Sequence, residues 1–164
     1  MATEQVLQQI QSALSNGGTA LRANLKLTPA GGDGDKVFPP TYEGGQYATE
    51  QRLINGERVE TVLLDSVQSQ ANRIEQALLS AHRQGRIQIP VLEVDFGVYG
   101  RVTSLDAPHR IFDSIFWDCQ EGETAFRTTG IGSAIGQASL ANATALLTYA
   151  PNVLAFGGWD SQMK

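Results

Sequence analysis

The chain has 164 residues, 41% of them hydrophobic, which suits one domain around a single core. A formal net charge of −5 argues against a protein that coats nucleic acid by charge alone, so any such contact must rest on local placement of Arg and Lys. The single cysteine, Cys119, rules out an intrachain disulfide and fits a reducing cytoplasm; with two histidines it falls short of a structural zinc site. No apolar run approaches the roughly 20 residues of a membrane span, and the Gln-rich start with Glu4 does not read as a signal peptide.

Residues 3–15 place Val6, Leu7, Ile10, Ala13 and Leu14 at helical spacing, with Thr3 as N-cap and Asn16-Gly17-Gly18 as stop. Residues 19–28 alternate: Leu21, Ala23, Leu25 and Leu27 share one face, and Arg22, Asn24 and Lys26 the other, which predicts a half-buried strand. Residues 29–46 are punctuated by Gly and Pro and read as a long functional loop carrying Lys36, Phe38 and Tyr42. Residues 47–54 and 59–64 read as strands joined at Asn55-Gly56, a strong hairpin signal.

Residues 65–83 are the clearest helix. Val67, Ala71, Ile74, Leu78 and Ala81 make an apolar stripe, Asp65 or Ser66 can cap it, and Gly85 can end it. Residues 90–96 predict a strand. Pro108 opens a short helix to Trp117, with Ile111, Phe112 and Ile115 turned inward. Residues 120–122 read as a turn, residues 137–149 as a helix halted by Pro151, and residues 153–156 as a last strand. The class is α+β.

Several motifs carry chemistry. A helix N-terminus exposes unpaired N–H groups and partial positive charge, so it attracts phosphate. Ser66, Gln68, Ser69 and Gln70 add neutral donors there, and Asn72 and Arg73 follow one turn on. Spacing alone favours an ordinary amphipathic helix with a solvated polar face. The run Gly130 to Gly136 departs from a dinucleotide-binding fingerprint, since its third Gly is one place late and the preceding residues are polar; a flexible loop or a close backbone contact fits better. His109 and Asp113 could do acid–base work, but no nucleophile accompanies them, and a capping cluster is the favoured reading. His109 and Arg110 could instead touch RNA phosphate. Phe38 and Tyr42 are candidates to stack on bases, whereas Trp117 and Trp159 read as core.

The strings PPTYEGGQYA, LLDSVQSQANRIE, LEVDFG, APHRIFD, FRTTGIG, NATALL and FGGWDSQ, in order from Pro39 onward, resemble the backbone subunit of type I-G (formerly I-U) CRISPR Cascade, a member of the RAMP superfamily. The resemblance implies an RRM-like, ferredoxin-like palm with finger and thumb insertions. It implies head-to-tail polymerisation along a CRISPR RNA that is held for pairing with target DNA. Its expected partners are that RNA, the target DNA, neighbouring copies and other Cascade subunits. It implies no catalysis, metal or cofactor. RNA contact is expected from Ser66, Gln68, Ser69, Gln70, Asn72 and Arg73, together with Lys36, Phe38, Tyr42, His109, Arg110 and Arg127. Family members continue past a segment like FGGWDSQ, so the chain resembles the N-terminal part of a longer protein. A sheet ending there would leave edges unpaired, and the expectation is that order depends on a partner, a second fragment or neighbouring copies. Two alternatives stay open: a RAMP-type ribonuclease using His109 or Asp65, and a structural subunit contacting only protein.

Overall fold

The computed structural model describes residues 2–18, 22 and 24–160, which form two compact units, Met1–Phe38 and Pro39–Lys164. In the first unit, α1 (Ala2–Ser15) occupies the expected periodic stretch, and Val6, Leu7 and Leu14 on it are exposed. Of the strand expected over 19–28, residues 19–21 and 23 lie outside the described residues; residues 22 and 24–28 form neither helix nor strand.

The second unit begins with an isolated bridge between Thr41 and Tyr47 that closes a small loop around Tyr42. A two-stranded ribbon follows, β1 (Thr49–Ile54) with β2 (Glu57–Val62). Ile54 pairs with Glu57, so Asn55 and Gly56 alone form the turn. Both take positive φ, 53° and 87°, which is the primed turn that Asn-Gly favours because its twist matches the strands.

α2 (Val67–Arg83) starts at Ser66, whose hydroxyl accepts from the Ser69 amide at 3.0 Å. It stops in a Schellman motif: Gly85 takes φ 69°, and the amides of Gly85 and Arg86 return to His82 and Ala81. The buried line runs through Ala71, Glu75 and Leu79. The stripe expected through Val67 and Ile74 is corrected, because both are exposed. The helix is rotated relative to that reading since a charged residue, Glu75, faces inward with a partner.

β3 (Glu93–Asp95) pairs antiparallel with β4 (Arg101–Thr103) across a tip at Gly97–Tyr99, a shorter strand than residues 90–96 allowed. The helix expected from Pro108 is broken in two. A 3-10 turn covers Arg110–Phe112, and α3 (Ser114–Trp117) begins afresh where Asp113 accepts from the Ile115 amide at 3.0 Å. A short hairpin, β5 (Gln120–Glu121) with β6 (Thr124–Ala125), occupies the expected turn.

The glycine run is a helix, α4 (Gly130–Gly136), capped by Thr129, whose hydroxyl accepts from the Gly132 amide at 3.1 Å. A Cβ on Gly132 would fall 1.9 Å from the Phe126 carbonyl oxygen, so the close backbone contact requires glycine. Of the helix expected over 137–149, only α5 (Thr144–Tyr149) forms, because a bridge between Ser139 and Asn142 turns the chain first. The strand expected over 153–156 is instead α6 (Pro151–Phe156). Proline at its first turn presets the helical φ and gives up a donor the helix would not use.

The core of this unit gathers Ala107, Ile111, Phe116, Trp117, Ile135, Ala150 and Val153, with Val94, Phe112, Phe126 and Tyr149 packed around it. Trp117 is core as expected; Trp159 is 70% exposed, which corrects the reading that buried it. The class is α+β: mixed helices with small antiparallel ribbons.

Candidate nucleic-acid interface

The site is built outward from the start of α2. The cap takes the Ser69 amide, while the amides of Val67 and Gln68 leave the helix end without intrahelical acceptors. Gln68, Gln70, Asn72 and Arg73 are exposed; Gln70 and Arg73 lie on the side away from Ala71 and Glu75, and Gln68 and Asn72 flank the Glu75 line. One anion already stands at this end. Asp65 accepts from the Gln70 side-chain amide and pairs with Arg73 at 3.2 Å. Hydrogen bonding by Ser69, then by Gln70, and the Arg73 charge hold its carboxyl below the ordinary 3.8, against an opposing desolvation effect. The helix start is thus an anion-holding place occupied by the protein's own carboxylate.

One turn deeper, Glu75 is 2% exposed and accepts two bonds from Arg110, from Nε at 2.7 Å and Nη2 at 2.8 Å. The Asn152 amide donates to Glu75 Oε1 and to the Ser104 carbonyl, both at 2.8 Å. Arg110 reaches this position through a left-handed backbone, φ 56°, and its guanidinium carbon lies 5.9 Å from the Phe156 ring centroid. This network ties α2, the turn before α3, and α6 together. A bidentate Arg–carboxylate pair fixes geometry as well as charge.

The remaining candidates are placed variously. His109 is exposed, its ring edge-on to Trp159 with centroids 6.4 Å apart. Asp113 accepts from the backbone amides of His109 and Ile115, so its carboxylate caps the turn. Arg127 lies 4.2 Å over the Trp117 ring and 3.7 Å from Asp160. Tyr42 belongs to the second unit; Lys36 and Phe38, the latter largely exposed, belong to the first. The structure brings Arg110 beside α2 through Glu75, and the other α2 candidates share one helix. Sequence reasoning missed Glu75, Asn152 and Ser104. The available signal was Glu75 itself, four residues from both Ala71 and Leu79 on an otherwise apolar line.

Among the described residues, no group of three or more His, Cys, Asp or Glu side chains is placed to hold a metal ion, and no helix is long and apolar enough to cross a membrane.

These features define an α+β protein with a serine-capped, polar helix start. The family model described as CRISPR-associated protein GSU0053 matches residues 21–164, and the chain belongs to that family. Membership places it in CRISPR defence. Comparisons with curated proteins and with solved structures find no match.

Proposed function

We propose that the chain is a non-catalytic, CRISPR RNA-binding backbone subunit of a type I-G (formerly I-U) Cascade, acting in the cytoplasm. Copies line up along the guide RNA, contact other Cascade subunits and hold the RNA for pairing with target DNA. The α2 helix and the β3–β4 ribbon belong to an RRM-like palm in this reading. The observation that carries it is the start of α2: a serine cap, helix-end amides without intrahelical acceptors, and exposed neutral donors followed by Arg73, in a chain of a CRISPR-associated family. Such a surface grips phosphate through hydrogen bonds and helix polarity and needs no basic patch, which suits a net charge of −5. Repetition along one RNA turns modest contacts into tight binding.

Asp65 sharpens the test. A phosphate at this helix end must share or displace its carboxylate. Asp65→Asn should therefore strengthen binding of a guide-length RNA severalfold, and Gln70→Ala with Arg73→Ala should weaken it. Unchanged affinity in both variants removes the helix from the interface. RNA that is cut by the wild type and spared by Asp65→Asn would replace this reading with the ribonuclease. Sequencing the nucleic acid that co-purifies with the protein identifies the RNA directly.

A further inference from the structure

Trp159 is 70% exposed, although the chain on both sides of it is held against the core. Gly157 ends α6 with φ 84°, and its amide donates to the Val153 carbonyl at 2.9 Å. Gly158 lies so close to the core that a Cβ there would fall 2.7 Å from the Phe112 ring and from Val153 Cγ1. On the other side Asp160, its side chain 6% exposed, lies 3.7 Å from Arg127, which covers the Trp117 ring. Residue 158 therefore meets the core, 159 stands in solvent and 160 is buried again. An indole left in water forgoes the stabilisation that burial would bring. The anchors on either side hold it there.

The surroundings of the indole suit one kind of occupant. The ring it meets is that of His109, edge-on with centroids 6.4 Å apart. His109 is itself held: its amide donates to Asp113 at 3.1 Å, and Arg110 after it binds Glu75 of α2. The side chains that anchor this corner are charged and mutually paired, Arg127 with Asp160 and Arg110 with Glu75. The core of a protein interface is built from several apolar side chains that lose water together. A single fixed ring with charged neighbours instead suits a nucleobase, which offers one π-face and a polar rim. Glu75 also links this corner to the start of α2, since it stands two residues beyond Arg73.

We propose that Trp159 is a stacking platform for one unpaired base of the RNA, with His109 setting the tilt of the indole. The inference rests on the RNA-binding function proposed above and adds a base contact to a surface otherwise built for phosphate. Stacking reads no sequence, because every base has a π-face. That suits a chain that leaves sequence to base pairing.

The full chain has two tryptophans, Trp117 buried and Trp159 exposed, so fluorescence separates them. Titration with oligoadenylate RNA should quench the wild-type emission. Trp159→Phe keeps a ring to stack on, so by anisotropy of the end-labelled RNA it should bind nearly as tightly, while its remaining Trp117 emission stays unquenched. Trp159→Ala should lose at least about fivefold in affinity. The salt dependence of its binding should not change, because stacking releases no counterions. Wild-type protein that binds the RNA without quenching overturns the proposal, as does a Trp159→Ala variant of wild-type affinity; the α2 grip survives both results. A loss of affinity that comes with a shallower salt slope assigns Trp159 to phosphate placement and overturns the proposal too. A wild type that binds neither oligoadenylate nor guide-length RNA overturns the function proposed above, and this inference with it.

Discussion

Glu75 is a carboxylate in a nearly dry place, and it is stable there because every oxygen has a partner. Isolated burial of a charge is costly; Arg110 and Asn152 offset that cost by direct bonds. Removing one partner is therefore worse than removing the pair. Arg110→Ala should lower unfolding free energy by about 3–5 kcal/mol, and Glu75→Met/Arg110→Met should cost less than the two single changes added together. Urea titrations of the variants measure both. Asp65 makes a pH prediction. Its folded carboxyl titrates below 3.8, so the folded state takes up the proton later than the unfolded chain during acidification. The stabilisation is present above that ordinary value and is lost as pH falls through the lowered folded one. Asp65→Asn should flatten the decline in melting midpoint as pH falls from the ordinary carboxylate range to below it; an unaltered slope would assign the acid sensitivity to other carboxylates.

At the scale of elements, local chemistry sets where helices begin. The Ser66 hydroxyl satisfies one of the amides that a helix start leaves bare, and Ser66→Ala should cost about 1 kcal/mol by thermal or chemical melting. α4 depends on a different constraint. Gly132 lies against the Phe126 carbonyl, so a methyl group there must push the helix off its neighbour. Gly132→Ala should destabilise by about 1–3 kcal/mol, whereas Gly130→Ala, with open space around it, should be far milder. The Asn55-Gly56 turn was legible for the same local reason as the Ser66 cap: two residues determine the backbone twist. α6 was not. Residues 153–156 have an apolar strand-like run, but they follow a proline suited to a helix start, and among the described residues no strand pairs with them.

At the scale of the whole molecule, the acidic balance constrains how RNA can be held. If the proposed interface works mainly through neutral donors and helix ends, few counterions leave the RNA per copy. Binding of single-stranded guide RNA should then depend weakly on salt, with a log–log slope of about −0.7 for each phosphate neutralised and only one or two such phosphates per copy. A steep slope would point to a basic surface elsewhere and against the α2 grip.

Periodicity, caps and turn residues made the hairpin, the limits of α2 and the α+β class readable along the chain, because each depends on neighbours within a few positions. The helix of Asp65 to Arg73 and its exposed donors were readable in the same way. Which side of that helix faces the core was not, since the answer lay in residues distant in sequence. Glu75 turns inward because Arg110 and Asn152 arrive from 35 and 77 positions away. Burial of a charge is decided by such partners, and no local pattern contains them.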